Sequence, residues 1–134
     1  MKARSATCDD IEAAMEWVIT KLDSHKGDQE FCHQLLFSVR EALNNVVEHS
    51  GATTFSIRLR AFERQGQPWI GFRCRDNGKG YVIPSHNRSQ PLALQGRGWP
   101  IIKAWTDSVR LRRLGEINEL TLFKNVQPGN KSIK

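Results

Sequence analysis

The sequence predicts an α+β chain folded as a two-layer sandwich, with a mixed, mostly antiparallel sheet and its helices on one face. Three observations lead there. Two segments in the first fifty residues repeat apolar positions every three or four residues, as helices with one buried side do. Later segments alternate apolar and polar residues, as half-buried strands do. Helices and strands also fall in separate runs, the pattern of α+β architecture.

Residues 1–7 are too short to assign and read as a frayed end or a short edge strand. Asp9 or Asp10 is placed to cap a first helix ending near residue 23, with Ile11, Met15, Val18, Ile19 and Leu22 on its apolar side. Gly27 breaks the pattern. A second helix covers residues 29–49, with Phe31, Leu35, Val39, Ala42, Leu43, Val46 and Val47 as its stripe. Gly51 suits the left-handed turn that follows a helix.

Phe55, Ile57, Leu59 and Ala61 then alternate with Ser56, Arg58 and Arg60. Gln65-Gly66-Gln67-Pro68 reads as a hairpin turn. The next strand buries Ile70, Phe72 and Cys74, and Asp76 continues their parity, so the strand ends by aiming a carboxylate at the interior side. Asp76-Asn77-Gly78-Lys79-Gly80 is either an ordinary Asn-Gly turn or a tight approach to a ligand. Residues 81–95 have no periodicity and are broken by Pro84 and Pro91, which fits a lid. Gly96-Arg97-Gly98 opens a third helix, with Pro100 in its first turn and Ile101, Ile102 and Trp105 on its apolar side. A glycine loop feeding a helix start presents free N–H groups, which suit phosphate. Two strands close the chain, one with Val109 and Leu111, the other with Leu120 and Leu122, turning near Gly115. The expected organisation is one domain over residues 1–134, with 1–8 and 128–134 as loose ends.

Composition narrows the classes of function. At 39% hydrophobic and 25% charged, this is an ordinary globular chain, and no apolar run is long enough to span a membrane. The first ten residues lack the apolar core of a signal peptide. Cys8, Cys32 and Cys74 are widely spaced with no CxxC pair, which points to a reducing, cytoplasmic setting and away from a zinc site. His25, His33, His49 and His86 are scattered, so no metal cluster stands out. The net charge of +6 admits an anionic partner: a nucleotide, an acidic protein surface or nucleic acid.

The second helix carries the densest chemistry. At about 100° per residue, Glu41 and Asn45 share one margin of the buried face. His49 comes one turn later and closer to the stripe, while Asn44 points away and should be solvated. This edge is a polar flank with local hydrogen bonds or a site.

Glu41-Ala42-Leu43-Asn44-Asn45-Val46-Val47-Glu48-His49 resembles the asparagine box of the GHKL (histidine-kinase-like) ATPase superfamily. Asp76-Asn77-Gly78-Lys79-Gly80 resembles its first glycine box and Gly96-Arg97-Gly98 its second. The short domain and the ExxxN…H form of the first box are most similar to the anti-sigma factor serine-protein kinases. The resemblance implies a Bergerat-type ATP-binding fold and an ATP-dependent serine kinase. Asn45 would hold Mg²⁺, Glu41 would be the general base and Asp76 would accept a hydrogen bond from the adenine amino group. Gly78 and Gly80 would shape the pocket floor. Gly96 and Gly98 would approach the phosphates, and Arg97 could add charge. His49 matches a family position, as a lid contact or as support. The implied partners are a small antagonist protein with a phosphorylatable serine and a sigma factor or similar regulator, with no direct nucleic acid or membrane contact and a homodimeric state. A non-catalytic nucleotide-binding or partner-sequestering module of the same fold is the alternative. Family members often carry Gly-Thr-Thr entering the last strand, where this chain has Asn118-Glu119-Leu120, and Trp99-Pro100 is bulkier than the residues usual after the second box.

Strand parity also sets Arg58, Arg60, Arg73, Arg75, Arg110 and Arg112 on the face away from the helices. That face is either a solvated surface partly balanced by Glu63, Glu116 and Glu119, or a docking surface for an acidic partner.

Overall fold

The computed structural model describes residues 2–3, 8–23, 28–81, 83 and 98–126. They form β1 (Lys2–Ala3), α1 (Cys8–Leu22), α2 (Gln29–His49), β2 (Phe55–Arg64), β3 (Gln67–Asp76), α3 (Trp99–Trp105), β4 (Ser108–Leu114) and β5 (Ile117–Asn125). The strand order is β1-β2-β3-β5-β4, and every described pairing is antiparallel. The mixed component expected of the sheet is therefore not found among the described residues. Both long hairpins close through two-residue turns, a link open only to antiparallel neighbours. Gln65 and Gly66 both have positive φ (54° and 76°), the I′ geometry that matches strand twist. Gly115, with φ 65° at the first turn position, follows the II′ pattern.

The helices cover one face. Ile11, Ala14, Met15, Val18 and Leu22 of α1 join Phe31, Leu35, Val39, Ala42, Leu43 and Val46 of α2 over Ile57, Ile70, Phe72, Cys74, Leu120 and Leu122 of the sheet. Asp28 caps α2, its carboxylate accepting from Phe31 N–H at 2.7 Å. Asp9 and Asp10 sit inside the first turn of α1, not at its cap, where their charge still complements the helix dipole. Glu12 of α1 pairs with Arg40 of α2 at the surface, while the buried apolar side chains hold the two helices together.

Three expectations about burial fail at the margins. Ile19 is 44% exposed, because it lies 100° round the helix from Val18 and outside the 11, 14, 15, 18, 22 stripe. Ile101 is 38% exposed for the same reason, beside a fully buried Ile102. Ala61 keeps the core parity of β2 but is exposed, since burial fades along the strand from Phe55 through Leu59 toward the hairpin.

One core-side position is polar by necessity. Lys124 continues the parity of Leu120 and Leu122 under the helices. Its ammonium donates to Gln34 Oε1 of α2 at 2.9 Å and to the Trp105 carbonyl at the end of α3. A cation at a helix C-terminus is favourable, so Lys124 ties β5 to both helices.

Candidate functional site

The packing of α2 fixes the site. With its apolar stripe against the sheet, Glu41 is half-buried and Asn45 is buried at 6% exposure, one turn apart. Asn44 is half-buried and not fully solvated. His49 departs from its expected place near the stripe: its side chain is 59% exposed, with Glu48 at 3.8 Å. It is the last residue of α2, where the covering layer ends.

The first glycine turn is fastened to the end of that helix. Ser50 caps α2, and Gly51 follows with φ 71°, as expected of a residue past a helix end. Lys79 N–H donates to the Ser50 carbonyl at 2.8 Å. A Cβ on Gly78 would lie 2.3 Å from that carbonyl oxygen, so no other residue fits there. The Asn77 side chain accepts from the Thr53 and Thr54 N–H groups at 2.9 and 3.0 Å, bracing the preceding loop.

Asp76 is 2% exposed, at the buried parity expected of it. Its Oδ1 accepts from Gly78 N–H at 2.8 Å and from Asn118 Nδ2 at 2.9 Å. Asn118 Nδ2 also donates to the Gly78 carbonyl at 3.0 Å. Arg113 completes the cluster, its Nη1 donating to Asn118 Oδ1 at 2.8 Å and to the Gly78 carbonyl at 2.7 Å. Among the described residues both donors to Asp76 converge on Oδ1, which leaves Oδ2 for another donor. A cavity of about 630 Å³ lies beside this cluster, against Lys79, Gly80, Tyr81, Ile83, Leu111 and Asn118.

The start of α3 meets Glu41. Gly98 has φ 86°, and a Cβ there would lie 2.4 Å from Glu41 Oε1. The residue after it, Trp99, is buried at 4% exposure and joins the core, its ring 6.1 Å from that of Tyr81. Its bulk is thus absorbed by packing. Gly96, Arg97 and the lid segment, apart from Tyr81 and Ile83, lie outside the described residues.

Two buried side-chain polar atoms among the described residues lack a partner: Asn45 Nδ2 and the Tyr81 hydroxyl. Burial first, then the proximity of Cys74 and Asp76, push the Tyr81 phenol up from its ordinary value, so it stays a neutral donor. Unpaired buried polar groups cost about 1–3 kcal/mol each, so a fold retains them where water, an ion or a ligand answers them. The donor set suits a nucleotide with a hard cation. Asn45 offers a donor as it stands, or its oxygen after a half-turn of the amide. Asp76 offers an acceptor, while Gly78 and Gly98 let Ser50 and Glu41 pack directly against the backbone.

In the sequence Asn118 stands out only as part of a departure from the family's Gly-Thr-Thr, and Arg113 and Tyr81 belong to no motif. The signal for the first two was parity: Asn118 lies two residues before Leu120, and Arg113 two after Leu111, both on the helix side.

The comparisons bear on the family and the fold. A model of the histidine kinase-like ATPase domain matches residues 4–124. No curated protein matches the chain. Among solved structures, the RsbU and RsbW domains of Rv1364c from Mycobacterium tuberculosis align over 96% of this chain at 15% identity and TM-score 0.63. The blue-light activated histidine kinase of Erythrobacter litoralis EL346 aligns over 98% at 15% identity and TM-score 0.55, and its histidine kinase domain over 77% at 17% identity and TM-score 0.51. The chain spans 33%, 44% and 48% of those three structures respectively, and the likeness is one of fold. No helix among the described residues is long and apolar enough to cross a membrane. With the family model covering nearly its whole length, the chain belongs to the histidine kinase-like ATPase domain family.

Proposed function

We propose that the protein is an ATP-dependent protein-serine kinase and anti-sigma-type regulator of a cytoplasmic partner-switching module. The observation that carries this reading is the edge of α2: Glu41 lies against Gly98 at the start of α3, and Asn45, one turn on, has a buried amide with no partner. Asn45 would hold Mg²⁺, which supplies charge neutralisation at the phosphates when bound. Asp76 Oδ2 would accept from the adenine amino group, and the demand for a donor there selects against bases that lack one. The absence of Gly-Thr-Thr is offset by Asn118, whose amide braces Asp76 and the Gly78 carbonyl. Gly78 and Gly80 would shape the floor. Gly96, Arg97 and Gly98 would serve the phosphates, with His49 reaching the nucleotide from the solvent side.

In the reaction, Glu41 takes the proton of a partner serine hydroxyl as that oxygen attacks the terminal phosphorus, and ADP leaves. The serine belongs to a small antagonist protein. Its modification frees the kinase, acting as a homodimer, to hold a sigma factor or similar regulator. Resemblance of the three motifs to the anti-sigma factor serine-protein kinases supports the partner assignment.

The test is incubation with γ-labelled ATP and a candidate antagonist protein. Label should appear on a serine of the antagonist with the wild-type protein and not with Glu41→Ala, while both bind ATP with affinities within about threefold. Transfer by Glu41→Ala at the wild-type rate would remove Glu41 from the mechanism.

A further inference from the structure

The open face of the sheet repeats one arrangement, and the second copy lacks a part. Across β3, β5 and β4 the register sets Arg75, Glu119 and Arg112 side by side. Glu119, only 5% exposed, accepts from Arg75 Nε and Nη2 through Oε2, each at 2.9 Å, and from Arg112 Nη2 through Oε1 at 2.9 Å. Two residues along each strand, about 7 Å away, the row reads Arg73, Thr121, Arg110. The arginines hold equivalent positions, and a short hydroxyl stands where the carboxylate stood. β2 adds Arg58, directly opposite Arg73.

Among the described residues, Arg58, Arg73 and Arg110 have no hydrogen-bond or ion-pair partner. Like charges opposite each other on neighbouring strands repel. Burial first, then the guanidinium of Arg75, push Arg73 down from its ordinary value, Glu119 pulls the other way, and Arg58 adds to the depression. A cavity of about 560 Å³ spans this face, with Thr121 on its floor and Phe62 and Phe123 at one side.

We propose that the row Arg58, Arg73, Thr121, Arg110 is a docking site for an acidic protein segment, one of whose carboxylates lies over Thr121 between Arg73 and Arg110 as Glu119 lies between Arg75 and Arg112. The neighbouring row shows that this strand spacing holds a carboxylate between two guanidiniums. Nucleic acid is disfavoured because the central aromatic ring of this face is already engaged. Arg60 and Arg64 lie over the Phe62 ring, and Phe123 meets it edge-on at 5.8 Å, so Phe62 is not a free platform for stacked bases. The site lies on the far side of the sheet from α2 and does not depend on the kinase reading.

The probe is a fluorescein-labelled deca-glutamate peptide, titrated at low salt without nucleotide and read by fluorescence anisotropy. Thr121→Glu supplies the missing carboxylate from within. It should weaken the peptide about tenfold or more while raising the thermal midpoint. Lys21→Gln removes the same unit of charge from the helical layer and should leave affinity within about twofold. Should Thr121→Glu fail to fold, the Arg73→Gln/Arg110→Gln pair should give the same loss. The proposal is overturned if the wild-type protein does not bind the peptide, or if Thr121→Glu binds it like wild type. It is overturned equally if Lys21→Gln loses as much, or if a ten-residue oligothymidylate binds more tightly and loses in parallel.

Discussion

Strands β3 and β5 carry polar groups on both faces, and the two sets are built in opposite ways. Under the helices the polar side chains are few and come at strand ends: Asp76 and Asn118 at one end, Lys124 at the other, with Phe72, Cys74, Leu120 and Leu122 between. Each is tied by named hydrogen bonds, and among the described residues the unpaired atoms on this side are Asp76 Oδ2, Asn45 Nδ2 and the Tyr81 hydroxyl. On the open side the polar groups are many and arginine predominates, with Glu119 and Thr121 of β5 set between Arg73 and Arg75 of β3 and Arg110 and Arg112 of β4. Solvent can answer an arginine there, so the face tolerates charge repetition that the core would not. The difference teaches where to look for chemistry and where for recognition. Scarce groups in a fixed geometry can position a reaction. A redundant charged surface can attract and orient a partner.

The contrast is broken most sharply at Asn45. Asn45→Ala should weaken ATP binding by about 100-fold or more by calorimetry, while the unfolding free energy falls by no more than about 1 kcal/mol, because Nδ2 has no partner to lose. A large loss of stability with binding intact would make Asn45 a structural residue. Gly98→Ala comes next. Its methyl would displace the Glu41 carboxylate and force a side chain onto a φ of 86°, so phosphoryl transfer should fall about 100-fold with a smaller change in ATP affinity. Unchanged transfer would separate α3 from the site.

On the open face, Glu119→Gln should cost about 1–3 kcal/mol of stability at pH 7. The hydrogen bond from Arg112 first, with those from Arg75, holds the Glu119 carboxyl below its ordinary value against the opposing effect of burial. A carboxyl depressed by folding stabilises the protein above its unfolded value, near 4.3, and that contribution is lost as pH falls through the folded value. The gap between wild type and Glu119→Gln should therefore be widest at neutral pH and close below about pH 4 in urea titrations. A gap that stays constant with pH would mean that the charge of Glu119 contributes nothing.

Periodicity made the fold legible. The 29–49 stripe matches α2, and period-two alternation gave both the buried carboxylate at Asp76 and the row of outward arginines. Asn45 was distinguished from Asn44 by rotation alone. Parity could not report which polar residue on the helix side would serve the site. Asn118 reads as a departure from a familiar motif and proves to brace Asp76 through a contact 42 residues away in sequence. Arg113 was hidden for the same reason, since its partner Gly78 lies on a loop whose position is set by Ser50. Glu119 was read as one of three balancing acids. Only the register shows that it sits between two arginines and that Thr121 takes its place in the next row.

Two tryptophans report separately on the two faces. Trp99 follows Gly98 and packs by Tyr81, whereas Trp69 stacks on Phe62 at 6.4 Å on the open side. The indole N–H signals of ¹⁵N-labelled protein, assigned through Trp99→Phe and Trp69→Phe, should be followed during titration with magnesium ATP. A nucleotide site on the α2 edge requires the Trp99 signal to shift and saturate while that of Trp69 stays in place. Movement of Trp69 with Trp99 unmoved, or no movement of either at millimolar ATP, would contradict it.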